Sequence, residues 1–232
     1  MGSYRQYCPV ARATEILAER WNLLIVRNLL WGASTFGDLA QGVPHMSRSM
    51  LIKRLRELER NGIVESRPKA NGQGSTYALT DPGRDLAGVV AELASWAERW
   101  VEVREEHTDP GFALWVWCQV QLDREALPTE RTVVGFRFPQ ERPGNRRFWL
   151  LVERSDAEVC VSDPGGEPAA EVVAESRSFV DWHRGALTWR DALSSGAIRV
   201  EGRPAVVRAL PSWNLRAPTA PRGAAGADAG GR

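Results

Sequence analysis

A repeating pattern of basic side chains between Ser47 and Gly62 is the part of this sequence with the clearest chemistry. Three leucines recur at the spacing of one helical face: Leu51, Leu55 and Leu58. The opposite face carries Ser49, Lys53, Arg56 and Arg60. Ser47 can cap the first turn, and Asn61 and Gly62 supply a left-handed stop. The pattern predicts a helix that packs through one face and offers the other to a polyanion such as double-stranded DNA, the alternative being an ordinary solvated basic face.

The neighbouring residues favour the polyanion. A short apolar helix with Phe36, Leu39 and Ala40 precedes a turn at residues 42–45, so the basic helix is the second of a helix-turn-helix pair, the one that enters the major groove. Residues 63–67 and 76–79 alternate as strands around a glycine-rich turn at 69–75, which predicts a wing. Although the net charge of the 232 residues is only +1, residues 41–70 hold seven basic residues against three acidic ones.

Within this region we predict two kinds of DNA contact. Residues at the start of the basic helix should reach base edges: Ser47, Arg48, Ser49 and, one turn on, Lys53. Residues further along the helix and in the wing should reach phosphates: Arg56, Arg60, Lys69 and Gln73. Arg54 lies nearer the packed side, where an ion pair with Glu57 is an equal alternative.

The first and last helices of this region predict a dimer. Pro9 fits the first position of a helix that starts after Cys8, and a core helix follows over residues 21–30. A last long helix, predicted over residues 81–106, has an apolar stripe that includes Leu93, Trp96 and Trp100. The stripe is too long for so small a domain to cover, and we expect a second subunit to cover it.

Cys8 is a candidate redox sensor because a thiol at a helix start feels the positive end of the helix dipole, which favours the thiolate. The alternative is a cysteine that only packs. Cys118 and Cys160 lie far away in the sequence, so a switch would use an intersubunit Cys8 disulfide or a small-thiol adduct.

Composition and motifs exclude several classes of protein. No apolar run approaches the roughly 18 to 20 residues that cross a bilayer, and the N-terminus has no signal-peptide pattern, so we expect a cytoplasmic protein. The three cysteines suit neither a disulfide framework nor a zinc site, and His45, His107 and His183 are too scattered for metal ligands. Nucleophile elbows, P-loops and dinucleotide fingerprints are missing from the sequence, so we expect no enzyme, metal or cofactor.

From about residue 110 the pattern changes to alternation with many aromatic residues, which predicts a second domain over residues 110–213. We expect strands at 112–121, 132–138, 147–153, 158–162 and 171–176, then helices at 178–184, 188–195 and 203–210. Such a sheet covered on one side by helices is an α+β layout. Six tryptophans are candidates for lining an apolar pocket, or else they fill the core: Trp115, Trp117, Trp149, Trp182, Trp189 and Trp213. Residues 214–232, rich in Ala, Gly and Pro, should be disordered.

Two resemblances add to this interpretation. The segments Cys8-Pro-Val, Trp21-Asn-Leu-Leu-Ile-Val-Arg, Phe36-Gly-Asp-Leu, Ser47-Arg-Ser-Met-Leu-Ile-Lys-Arg-Leu-Arg-Glu-Leu-Glu and Tyr77-Ala-Leu-Thr-Asp-Pro-Gly-Arg84 resemble, in order, the HxlR-type winged helix-turn-helix transcription regulators. That resemblance covers residues 1–107 and implies a homodimer on an inverted-repeat operator; in some members the cysteine before proline senses oxidants or electrophiles. The segments Phe179-Val-Asp-Trp-His-Arg-Gly185, Trp189-Arg-Asp-Ala-Leu-Ser-Ser-Gly196, Ile198-Arg-Val-Glu-Gly202 and Arg208-Ala-Leu-Pro-Ser-Trp213 resemble the end of a sterol carrier protein domain, which implies a five-stranded sheet and helices around an apolar tunnel.

The sequence therefore predicts an α+β protein with an N-terminal winged helix-turn-helix domain and a sterol-carrier-protein-like domain. We interpret it as a homodimeric DNA-binding transcription regulator, with repression favoured, whose DNA affinity responds to a small hydrophobic effector in the second domain. Two alternatives stay open: a redox or electrophile sensor acting through Cys8, and a lipid or metabolite carrier.

Overall fold

The computed structural model describes residues 3–69, 74–153 and 156–215. The chain forms two compact units, Met1–Val103 and Arg104–Arg232. In the described ranges, no helix combines the length and the apolar character that crossing a membrane requires.

The N-terminal unit is a helix-turn-helix domain with a two-stranded wing. Its helices are α1 (Pro9–Leu17), α2 (Asn22–Leu30), α3 (Phe36–Gln41), α4 (Arg48–Arg60), α5 (Asp81–Arg84) and α6 (Leu86–Trp100). The wing strands β1 (Val64–Pro68) and β2 (Ser75–Leu79) pair antiparallel, with Val64 opposite Leu79. The order of elements is the one that the sequence predicts.

Local sequence explains where α3 and α4 begin and where α4 ends. The Thr35 hydroxyl accepts from the Asp38 N–H while the Asp38 carboxylate accepts from the Thr35 N–H, a reciprocal box that starts α3. The Ser47 hydroxyl accepts from the Met50 N–H at 3.3 Å and starts α4. Gly62, with a φ of 68°, turns the chain after α4, because a residue without a Cβ adopts this left-handed conformation without strain.

The predicted helix over residues 81–106 is wrong in its extent. The chain forms the short α5, then α6, and it is extended at Val101. Within α5, the backbone of Gly83 packs so closely against the chain before β1 that a Cβ there would lie 2.2 Å from the Ile63 carbonyl oxygen. At the other end, β-branched Val101 and Val103, poor helix formers, follow α6.

The second unit contains a five-stranded sheet with helices packed on one face. Its strands are β3 (Thr132–Arg137), β4 (Arg147–Glu153), β5 (Asp156–Cys160), β6 (Ala170–Ala174) and β7 (Ile198–Gly202), in the spatial order β5-β4-β3-β6-β7. Only β3 and β6 are parallel among these pairs. The helices are α7 (Pro110–Val116), a π-helical turn (Trp117–Gln121), α8 (Ser176–His183), α9 (Trp189–Ser194), α10 (Pro204–Ala209) and a final 3-10 turn (Leu210–Trp213). Two shorter 3-10 turns lie at Glu105–His107 and Pro143–Asn145.

The predicted strand over residues 112–121 is wrong, because this segment is helical. The Asp109 carboxylate accepts from the Phe112 N–H at 3.0 Å, and Pro110 takes the first helical position. The side chains of this segment that enter the core recur at helical spacing: Ala113, Leu114, Trp117 and Cys118. The fifth strand is instead β7, and the other predicted strands and helices lie within a few residues of the observed ones.

The end of the second unit lies slightly beyond the predicted domain. Asn214 forms a β-bridge with Leu122, and the Leu215 N–H donates to the Gln121 carbonyl at 2.8 Å. These two residues belong to the fold rather than to the predicted tail, because both pair with the chain at the end of the π-helical turn. Residues 216–232 lie outside the described residues.

Candidate nucleic-acid interface

The outward face of α4 is a strip of mostly polar and basic side chains. Leu51, Leu55 and Leu58 are at most 1% exposed, so they hold the inner face of the helix in the core. The exposed side chains are Arg48, Ser49, Ile52, Lys53, Arg56 and Arg60; we call this set the α4 strip. The separation of faces confirms the predicted helix with one packed and one free side.

Ile52 is a member of the strip that the sequence prediction missed. It is 40% exposed although it is apolar, and it falls within the arc formed by the basic residues. The signal was available, because Ile52 does not share the spacing of the buried leucines. An exposed apolar side chain among cations suits contact with a thymine methyl group.

The first turn of α4 is held in place by its neighbours. The hydroxyls of Ser47 and Ser49 lie 3.2 Å apart. The guanidinium of Arg48 lies 5.7 Å from the centre of the Phe36 ring, a cation–π contact with α3. Arg48 is therefore positioned at the start of the helix, where major-groove readers place their base contacts.

The later part of the strip lies beside Tyr77 of the wing. The Arg60 Nε donates to the carbonyl of Arg56 at 3.4 Å. Burial and, after it, the negative charge of Glu59 raise the pKa of Tyr77, and Arg56 acts in the opposite direction. The Tyr77 phenol therefore stays protonated at neutral pH and keeps an O–H donor.

The wing carries one of its two predicted contact residues within the described range. Lys69 follows β1, and its backbone N–H donates to the carbonyl of Gly74 at 3.0 Å, which closes the wing turn. Arg67 is exposed but forms an ion pair with Glu65 at 2.7 Å. Gln73 lies outside the described residues.

Arg54 points to the inner side of α4 and is 8% exposed. Its Nη1 lies 2.6 Å from Glu57 Oε2, which is the ion pair that the sequence allowed. Its Nη2 lies 2.6 Å from Glu19 Oε2, a contact across 35 positions that the sequence did not indicate. Arg54 is thus buried and paired with two carboxylates, apart from the exposed face of α4.

Comparison with known proteins agrees with this geometry. A family model described as HxlR-like helix-turn-helix matches residues 16–105. YvaP, an uncharacterized HTH-type transcriptional regulator of Bacillus subtilis (strain 168), is 36% identical over 100 residues, which are 42% of this chain and 92% of YvaP. The chain belongs to the HxlR-like helix-turn-helix family. YodB, an HTH-type transcriptional regulator of the same organism, is 36% identical over 97 residues, 41% of this chain and 87% of YodB. The solved reduced form of YodB is 35% identical, covers 42% of this chain and 97% of that chain, and has a TM-score of 0.37.

The HxlR-like resemblance predicted from the sequence is therefore confirmed, and the protein is a transcriptional regulator of this type. The relatives are named as regulators, and no enzyme family is indicated. The matched residues end at position 105, so the second unit lies outside the HxlR-like match from residue 106 onward.

The last helix of the HxlR-like part presents an apolar strip to solvent. The exposed fractions of its side chains are 46% for Val89, 46% for Leu93, 55% for Trp96 and 73% for Trp100. Half-buried Leu86, Val90 and Ala97 lie beside this strip on α6. Leu93, Trp96 and Trp100 in this strip are the residues that the sequence analysis expected a second subunit to cover.

The three cysteines of this HxlR-like protein differ in environment. Cys8 is half-buried and precedes α1, and its carbonyl accepts the N–H of Arg12 at 3.1 Å. Burial raises the pKa of Cys118 to about 12, and it also raises the pKa of Cys160. Both of these thiols therefore stay protonated and are weak nucleophiles at neutral pH.

The six tryptophans named for an apolar pocket are in two groups. Trp117, Trp182, Trp189 and Trp213 pack in or against the core of the second unit. The Trp117 and Trp182 rings are 5.2 Å apart, the Trp182 and Trp189 rings 4.8 Å apart, and the Trp117 indole N–H donates to the Trp213 carbonyl. Trp115 and Trp149 are buried outside this cluster, and Trp149 lies under Arg147. In this conformation the four core rings fill space, so a ligand between them would have to move them apart.

Proposed function

We propose that the protein is a homodimeric repressor that reads an inverted-repeat operator through the α4 strip. The observation that carries this proposal is the strip itself: the exposed face of the second helix of a helix-turn-helix pair holds four cations and two small readers, Ser49 and Ile52. Arg48, Ser49 and Lys53 contact base edges, while Arg56, Arg60 and Lys69 contact phosphates. Occupation of a promoter by the dimer would exclude the polymerase.

The dimer forms through the apolar strip of α6 together with α1. Exposure of an apolar strip to water costs free energy on so small a domain. The same strip on a second copy of the chain can cover it, because a twofold axis brings identical surfaces together. Two α4 helices related by a twofold axis would read half-sites about one helical turn apart, roughly 10 bp or a multiple of it.

We test DNA reading by selecting bound sequences from a random duplex pool with the full chain. We expect an inverted repeat to be enriched. A Lys69→Ala variant should bind all duplexes more weakly by the same factor and lower the slope of log affinity against log salt by about 1, because one phosphate contact is lost. A wild type that retains every duplex equally would refute sequence reading, and a Lys69→Ala effect confined to the operator would contradict a phosphate role.

For the input that controls DNA affinity, we propose an apolar effector in the second unit, which we propose has the sterol-carrier-type fold. The five-stranded sheet and its aromatic interior support this proposal. The second candidate is thiol chemistry at Cys8, favoured by its position at the start of α1, while Cys118 and Cys160 are held as protonated thiols.

One experiment separates the two inputs. Operator affinity is measured for the wild type, Cys8→Ser and the control Cys160→Ser, each with palmitate as an apolar probe and with the thiol oxidant diamide. If the effector proposal holds, palmitate changes affinity at least tenfold, about 1.4 kcal/mol, in all three proteins. Release of DNA by diamide from the wild type and Cys160→Ser, but not from Cys8→Ser, would assign the input to Cys8 instead.

A further inference from the structure

The helix α1 is held loosely against the rest of the N-terminal unit. None of its residues is buried. A cavity of about 630 Å³ lies beside it, lined by α1 residues such as Arg12 and Ile16 and by Asn61, the residue that follows α4. Close packing along its length therefore does not fix the position of α1 relative to α4.

Two polar contacts hold the C-terminal end of this helix. The side-chain amide of Asn22 donates to the Ile16 carbonyl at 2.6 Å, which attaches α1 to α2. Two residues beyond α1, the Glu19 carboxylate reaches Arg54 at 2.6 Å, which attaches this end to α4. The contact from Glu19 thus joins the end of α1 directly to the helix that carries the α4 strip.

Arg54 depends on this contact. Its side chain is 10% exposed, and its Nε is buried without a hydrogen-bond partner in the described part of the chain. The carboxylates of Glu19 and Glu57 therefore balance the positive charge of Arg54. If one carboxylate is removed, the buried guanidinium is left with only one counter-charge, which is energetically unfavourable. A shift or rotation of α4 that exposes the Arg54 guanidinium to solvent would lower this free-energy cost.

Such a shift of α4 would change its contacts with DNA. Arg54 is adjacent to Lys53 and precedes Arg56 by two positions, so any rotation that brings Arg54 outward turns these neighbours away from their present direction. Base-edge contacts depend on exact placement of donors, whereas phosphate attraction tolerates displacement. Loss of the Glu19 contact should therefore weaken operator binding more than binding to random DNA.

We propose that Glu19 and Arg54 are positioning residues for DNA recognition, whose ion pair fixes the orientation of α4 and makes it depend on the position of α1. This inference rests on the proposed function, because it requires that α4 reads an operator. It adds that the segment after α1, which contacts no DNA in that proposal, determines how strongly the protein prefers its operator over random DNA.

The test is Glu19→Gln in the full chain, which keeps the size of the side chain and removes its charge. We expect operator affinity to fall roughly 2- to 30-fold while affinity for random DNA stays level or rises. Simple electrostatics predicts the opposite sign, since loss of a negative charge strengthens attraction to phosphates. Glu15→Gln is the matched control, because it removes the same charge from α1 itself at a residue bonded to Ser3 and Tyr4 rather than to α4; we expect no loss of operator affinity.

A double-mutant cycle with Arg54→Met identifies the path of the effect. If Glu19 acts through Arg54, the loss caused by Glu19→Gln disappears in the Arg54→Met background. Circular dichroism checks that each variant is folded, and Glu19→Asp, which keeps the charge but shortens the reach, serves as a second variant with an intermediate loss.

Two other results would contradict the positioning role and the proposed function separately. A folded Glu19→Gln protein that binds the operator like the wild type, or loses operator and random DNA equally, overturns the positioning role. A wild type without any sequence preference overturns the proposed function itself.

Discussion

A Trp96→Glu variant is expected to be monomeric at micromolar concentration and to bind the operator about 100- to 10,000-fold more weakly than the wild type. Trp96 is 55% exposed in the single chain, so the substitution should leave the fold of the N-terminal unit intact. In the proposed dimer the same side chain would be buried, and a buried, unpaired carboxylate is costly there. The loss on DNA is large because a monomer forfeits the second half-site.

The control for this prediction is Ser95→Glu. It introduces the same charge one residue away, at an exposed position on the polar side of α6. Sedimentation equilibrium should show a dimer for Ser95→Glu and for the wild type, and a monomer for Trp96→Glu. A Trp96→Glu protein that still sediments as a dimer would move the interface away from α6.

The second large effect is expected for the double variant Arg48→Ala/Lys53→Ala. Each base-reading side chain is worth about 1 to 3 kcal/mol, so the pair should lower the operator binding free energy by about 2 to 6 kcal/mol if the two losses add. Binding to random DNA should fall far less, so the ratio of operator to random affinity collapses. Fluorescence anisotropy with an operator duplex and a scrambled duplex measures this ratio.

The matched control is Arg190→Ala/Arg208→Ala, which removes the same charge from exposed positions outside α4 and outside the proposed dimer helices. We expect it to weaken both duplexes slightly and equally. If the Arg48→Ala/Lys53→Ala protein kept the wild-type ratio, base reading would have to be reassigned to other residues, with Ile52 and Ser49 the next to substitute.

The parts of the fold that sequence could predict are those decided by local chemistry. The cap at Ser47 and the turn at Gly62 each depend on residues three or fewer positions apart, and the structure has both of them. The ion pair of Arg54 with Glu57 also lies within one helical turn.

The contacts that sequence missed are long-range. Glu19 reaches Arg54 only because the turn after α1 brings it to α4, and no periodicity marks that approach. The close approach of Gly83 to the Ile63 carbonyl oxygen is another tertiary contact that no local pattern marks. Residues 112–121 are a different case, because alternation and aromatic content predict a strand there although the local signals of Asp109 and Pro110 mark a helix start.

The hydrogen bond between Trp117 and Trp213 has a consequence for folding during synthesis. The Trp117 indole N–H donates to the Trp213 carbonyl at 3.1 Å across 96 positions, and β7, an edge of the sheet, follows the other four strands in the sequence. On the ribosome, the DNA-binding unit can complete its core early, because its contacts close within residues already synthesised. The aromatic side chains of β3 and β4 stay uncovered until β7 and Trp213 have been synthesised. This unit is therefore most exposed to aggregation during translation rather than in the folded protein.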